Sequence, residues 1–157
     1  EKRMYAEHKL NMEMLIGGLK NNYTILKLPQ VIGYGGNKNT LVNFIVNKLK
    51  NDEEISVYEN TYKSLIDVED VKGIVDILLK EWKDKNTYVE IPFVEKLQVY
   101  QIVNLLAKQL NVEAKIKFVD SGINDFPELS LASNALLNHL NIVPEGYTER
   151  IIKKYIK

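Results

Sequence analysis

Short apolar runs alternate with longer stretches whose apolar side chains recur every three or four residues, and this alternation continues along the whole chain. Thr24-Ile25-Leu26-Lys27-Leu28 reads as a buried strand ended by Pro29, Ile55–Tyr58 as a short alternating strand, Thr87–Ile91 as a strand closed by Pro92, and Lys115–Val119 as a strand of clean alternation. Between them lie helical stripes: Leu41, Val42, Phe44, Ile45 and Leu49; then Val71, Ile74, Val75 and Leu78; then Leu97, Val103, Leu106 and Leu110 on a helix over Glu95–Leu110. Short helices follow near Leu131–Leu140 and Glu145–Ile156, after a turn-rich loop over Asp120–Ser130. Helices and strands in alternation define an α/β fold. A chain of 157 residues with 45% apolar content makes one domain, or two small ones sharing a core. No repeat, low-complexity tract or flexible linker divides it.

The first helix, reading through Leu19, is unusual. Met12, Leu15, Ile16 and Leu19 share one face, while Leu10 and Met14 lie well round from them, and an apolar surface that wide implies burial on more than one side. The chain opens on Glu1, without an initiator methionine, and is at once inside this helix. The expectation is a piece of a longer protein.

Charge and composition narrow the function classes. Lys plus Arg number 21 and Asp plus Glu number 21, with no basic run, so the electrostatic footprint of a nucleic-acid binder is missing. With no cysteine and two histidines, His8 and His139, no structural metal is expected. No apolar stretch approaches the roughly 20 residues of a membrane span and the first residues lack a signal-peptide core, which makes the cytosol the expected compartment.

Chemistry-bearing residues are concentrated in the first half. Tyr5-Ala6-Glu7-His8-Lys9 puts a phenol and an ammonium one helical turn apart on one face. A cation held there favours a phenolate, so a Tyr–Lys pair of this kind can exchange a proton near neutral pH. Tyr23 to Lys27 and Tyr34 to Lys38 share the spacing, but the first lies in the Asn21–Thr24 turn before a strand and the second inside a glycine loop. His8 projects about a hundred degrees away from its neighbours on the helix and reads as a packing or surface residue. The loop Gly33-Tyr34-Gly35-Gly36-Asn37-Lys38-Asn39-Thr40, between a strand and a helix, has two readings: an anion cradle to which Lys38 adds a cation, or a plain turn and helix cap. It matches neither Gly-x-Gly-x-x-Gly nor a Walker sequence. Asp67 and Asp70 likewise read either as paired carboxylates for acid–base work or, as their place at a helix start favours, as cap and dipole partner.

In order and spacing these residues resemble the second half of the extended short-chain dehydrogenase/reductase family, the NAD-dependent nucleotide-sugar epimerases, dehydratases and reductases. Tyr5-Ala6-Glu7-His8-Lys9 resembles the family's catalytic Tyr-x-x-x-Lys, and Ile25-Leu26-Lys27-Leu28-Pro29-Gln30-Val31-Ile32-Gly33-Tyr34-Gly35 resembles its Leu-Arg-x-x-Asn-Val-Tyr-Gly-Pro-Gly segment. Lys63-Ser64-Leu65-Ile66-Asp67-Val68-Glu69-Asp70-Val71 is similar to Arg-Asp-Phe-Ile-Asp-Val-Asp-Asp-Val, and Leu137 with Pro144-Glu145-Gly146 echoes the family's C-terminal pattern. The resemblance covers essentially the whole chain.

It implies the C-terminal part of a doubly wound, Rossmann-like parallel sheet plus a small mixed α/β substrate-binding lobe. Residues 1–91 would belong to the catalytic domain with interleaved lobe segments, and 92–157 mainly to the lobe. Tyr5 would be the general acid/base and Lys9 its activator and a ligand of the nicotinamide ribose, both touching an NAD or NADP cofactor that Pro29 and Val31 flank through backbone groups. Gln30, Gly35, Asn37, Lys38 and Lys63 would meet a nucleotide-sugar substrate. The family's glycine fingerprint is absent, Gln30 stands for Asn, and Lys63 offers a point charge where Arg offers a fork. The expected partners are the N-terminal half of the same protein, without which this portion should be inactive, and a second copy in a homodimer. A non-catalytic binding module that keeps the fold, and an unrelated α/β domain whose glycine loop binds a phosphate ligand, remain as the alternatives.

Overall fold

The computed structural model describes residues 2–20, 22–35, 37–83, 85–120 and 128–157. Asn21 of the first turn, Gly36 of the glycine loop and 121–127 of the late loop lie outside the described residues.

Helix α1 (Lys2–Gly17) ends at a glycine pair, where the Gly18 N–H reaches the carbonyls of Met14 and Leu15. Strand β1 (Thr24–Lys27) follows, and after Pro29, which has no N–H for a ladder, β2 (Gln30–Ile32) begins. Helix α2 (Leu41–Lys50), with Lys48 and Lys50 complementing its C-terminal dipole, leads to β3 (Ile55–Tyr58), whose Ile55 and Val57 point inward. Then come β4 (Tyr62–Lys63), β5 (Leu65–Asp67) and α3 (Val68–Glu81). The second half holds β6 (Thr87–Glu90), β7 (Leu97–Gln98), α4 (Val99–Leu110), β8 (Ile116–Val119), α5 (Leu131–His139) and α6 (Tyr147–Tyr155).

Among the described residues the strands form four pairs, three of them parallel: β1 with β6 (Thr24 opposite Thr87), β2 with β5 (Gln30 opposite Leu65) and β3 with β8 (Ile55 opposite Ile116). The fourth, β4 with β7, is antiparallel. Each parallel pair needs a long crossover, and the helices supply it. Their apolar stripes meet in one core, whose fully buried members include Ile45, Leu65, Ile66, Ile74, Ile91, Ile102, Leu106 and Ile152. The fold is α/β, with parallel strand pairs, one antiparallel pair and six helices among the described residues.

Three local expectations change in the tertiary setting. Phe44 is 48% exposed and lies under the Lys48 ammonium, and Val75 also faces out, because α2 and α3 bury narrower stripes than their sequences allow. Residues 95–98 do not join α4: Leu97 and Gln98 pair with β4, and the Gln98 N–H is taken by the Gln101 side chain, which starts the helix at Val99. Helix α1 and the turn after it leave most of their apolar residues in solvent, with Met4, Leu10, Met14, Leu15 and Leu19 all exposed. The burial on more than one side that its composition implies is not supplied by the described residues.

Candidate functional site

Tyr5, Lys9 and Glu13 succeed one another at four-residue steps, so they form one stripe along α1. Glu13 pairs with Lys27, the last residue of β1, at 3.0 Å. The stripe that carries Tyr5 and Lys9 is therefore the one tied to the carboxyl end of a parallel strand, where α/β sheets place their ligands. A hydrogen bond to Tyr88, then the one to Glu13, raise the Lys27 ammonium well above its usual range. The Lys9 Nζ lies 5.5 Å from the Tyr5 ring centroid, and Tyr5 is 66% exposed. Phenol and ammonium are thus side by side and open to a ligand.

Directly after β1, Pro29, Gln30 and Val31 turn the chain into β2, where Gln30 N–H bonds the Ser64 carbonyl and Gln30 and Val31 face outward. The glycine segment then forms one wall of a cavity of about 210 Å³ lined by Val31, Gly33, Tyr34, Gly35, Thr40, Asn43 and Val68. Gly33 is required there: a Cβ would stand 2.8 Å from Val68 Cγ1. Gly35 adopts φ +75°, a left-handed backbone that glycine takes without strain.

Other expected substrate contacts lie elsewhere. Asn37 is engaged within its own turn, its side chain accepting the Asn39 N–H and its carbonyl the Asn43 amide. Lys38 lines a separate cavity of about 510 Å³ with Asn43, Phe44 and Asn47 on the outer side of α2. Lys63 sits exposed on β4, opposite Leu97. The structure brings together Tyr5 with Lys9, and Val31 with Gly35, but does not gather all nine residues round one cavity. Thr40, the last residue of the loop singled out in the sequence, lines that cavity too, together with Asn43 and Val68, which no site reading had marked because their signal is a position on the α2 and α3 starts rather than a motif.

Asp67 and Asp70 belong to a structural hub. The Asp67 carboxylate, 5% exposed, accepts the Glu69 N–H (2.8 Å), the Tyr155 hydroxyl (2.6 Å) and the Lys154 ammonium (2.7 Å), which also reaches Glu69. Burial opposes its ionisation, but Lys154, Tyr155 and the backbone N–H outweigh that and hold the carboxyl below its usual 3.8. Tyr147 accepts the Asp67 N–H and donates to Asp70, and burial followed by that carboxylate pushes its phenol upward. Asp67 caps α3, Asp70 sits in its first turn, and both fasten α6 to it, so the reading of a cap with a dipole partner holds.

No known family's sequence profile matches the chain, and no curated protein sequence matches it. Solved structures do. A UDP-N-acetylglucosamine 4-epimerase from Methanobrevibacter ruminantium, in complex with UDP-N-acetylmuramic acid, superposes with a TM-score of 0.64 at 13% identity, over 94% of this chain and 49% of that one. Bordetella bronchiseptica WbmG, in complex with NAD and UDP, gives 0.65 at 14% identity over 90% and 48%, and the Thermus thermophilus UDP-glucose 4-epimerase complexed with NAD gives 0.63 at 16% over 92% and 48%. The likeness at such identities is one of fold. The fold is the one that these solved nucleotide-sugar epimerases share. The chain spans about half the length of the structures it matches.

Proposed function

We propose that this chain is the C-terminal portion of an NAD- or NADP-dependent epimerase, dehydratase or reductase acting on a nucleotide-activated sugar. The observation that carries the reading is the Tyr5–Lys9 pair on an α1 stripe tied to the end of β1, within a fold shared with enzymes solved with NAD and with UDP-sugar ligands. In this reading the Tyr5 phenol moves a proton to or from the sugar hydroxyl or carbonyl. The Lys9 ammonium stabilises the phenolate that forms and bonds the cofactor ribose. The chemistry of the residues suits the nicotinamide end of a dinucleotide: an exposed phenol beside an ammonium, and backbone groups of Pro29 and Val31 that would flank the ring in this reading. Once bound, that group supplies a ring that accepts or returns hydride. Gln30 and Gly35 meet the sugar, and Asn37, Lys38 and Lys63 the charged remainder of the substrate.

The same reading assigns 1–91 to the cofactor domain with interleaved lobe segments, 92–157 mainly to the substrate lobe, and the uncovered surface of α1 to a homodimer and to an N-terminal half. Among the described residues no helix is long and apolar enough to cross a membrane. The cytosol is the proposed compartment.

The test is fluorescence titration of NADH and NADPH against the full-length protein containing this chain, followed by turnover of UDP-sugars. Saturable binding, with turnover reduced about 10²- to 10⁴-fold by Tyr5→Phe, is the expected result. Failure of both cofactors to bind overturns the proposal in favour of a non-catalytic module.

A further inference from the structure

The glycine segment that walls the 210 Å³ cavity carries one large side chain, Tyr34, and it is 73% exposed. Burial does not explain where it sits. Its ring stands edge-on to Tyr155, with centroids 5.0 Å apart and planes at 79°, and its hydroxyl donates to the Lys154 carbonyl at 3.3 Å. Both contacts are made to α6, at the far end of the chain. The same two residues of α6 hold Asp67 through the Tyr155 hydroxyl and the Lys154 ammonium. Val68, next to Asp67, lines the same cavity and packs so closely on Gly33 that no Cβ fits between them. Two parts of the cavity lining, Tyr34 directly and Val68 through its neighbour Asp67, are therefore referred to one helix.

We propose that Tyr34 and Tyr155 form a latch through which the C-terminal helix α6 sets the width of the cavity, with Asp67 as its anchor. Tyr34 and Tyr155 act here as positioning residues. The latch works by placing the glycine wall against Val68, and neither ring has to touch the ligand. While the rings are in contact the cavity keeps its 210 Å³, and release of Tyr34 frees the one bulky side chain of a backbone that glycines make pliable. That the occupant whose size is selected is the sugar of a nucleotide sugar rests on the proposed function. The latch itself does not.

The test is ¹⁵N relaxation on the whole chain without ligand. The amides of Gly33 and Gly35 are expected to have order parameters of about 0.85 in the native chain, falling below about 0.6 in Tyr34→Leu, while those of α2 stay unchanged. Tyr34→Phe keeps the ring contact and should keep the native values. Tyr155→Leu should loosen the same two glycines. Should that change also unfold α6, Tyr34→Leu decides alone, because so exposed a side chain can be replaced without loss of the core. Native-like order at Gly33 and Gly35 in Tyr34→Leu, or loss of order in Tyr34→Phe equal to that in Tyr34→Leu, overturns the latch. No cofactor or substrate enters this readout, so its failure and the failure of the functional reading are separate results.

Discussion

Replacing Asp67 by alanine measures how firmly α6 is held, and the structure sets the size of the effect. The carboxylate caps the Glu69 N–H, an interaction worth about 1 kcal/mol. Its loss leaves the Tyr155 hydroxyl buried without its acceptor, which costs about 1–3 kcal/mol. The Lys154 ammonium is part-exposed and keeps Glu69, so its share is no more than about 0.5 kcal/mol. The expected destabilisation is about 3 kcal/mol near neutral pH, or roughly 6–12 °C in Tm for a chain of this length. The sign of the pH dependence follows from the lowered Asp67 pKa. A carboxyl held below 3.8 in the folded state contributes its full stability above the unfolded value and loses it as pH falls through the folded value. Urea unfolding of both proteins, at about pH 7 and again at about pH 2.5, should show the gap between them narrowing in acid. A gap that stays constant with pH, or that is under about 1 kcal/mol near neutrality, would refute the assignment of Asp67 as an ionised anchor.

The two loop glycines should respond to alanine for different reasons. Gly33→Ala drives a Cβ into Val68 and should cost about 1–3 kcal/mol with a visible change in the glycine wall, whereas Gly35→Ala meets open space and should cost about 1–2 kcal/mol from its left-handed backbone alone. Paired melting curves and backbone amide shifts separate the two. Glu95 accepts the N–H groups of Gly146 and Thr148 at 2.9 and 2.8 Å and so caps α6 from outside the helix; Glu95→Ala should lower stability by about 1–2 kcal/mol, and Glu95→Gln by less. Unfolding curves of the pair check this. Leu15 and Leu19 are 67% and 58% exposed, so changing both to Glu should alter stability by no more than about 0.5 kcal/mol while reducing any dimer to a monomer. Sedimentation together with Tm decides: a large fall in Tm at unchanged mass would show that these leucines pack within one chain.

Much of the fold was legible because its signals are local. Pro29 ends β1 for lack of an N–H, the alternation in Ile55–Tyr58 puts Ile55 and Val57 inside, and Asp67 caps α3 through an N–H two residues on. The Tyr5–Lys9 pairing was legible for the same reason, since a single helical turn sets it. Glu95 was misread: a helix pattern places it at the start of α4, yet its carboxylate caps α6, a contact between residues about fifty positions apart.

What the sequence determined by itself is the helices and the longer strands β1, β3, β6 and β8, several of the residues that begin or end them, and the side chains that share a turn; the short strands β2, β4, β5 and β7 and the start of α4 were not legible. The legible features depend on backbone torsions and on neighbours within four residues. Tertiary structure alone decided that β1 pairs with β6, that Tyr34 leans on Tyr155, that Asn37 and Lys38 stand apart from the cavity of Val31 and Gly35, and that α1 presents its apolar residues to solvent. Each of these depends on which distant surfaces meet, and periodicity records only that a surface is apolar and nothing of the partner that will cover it.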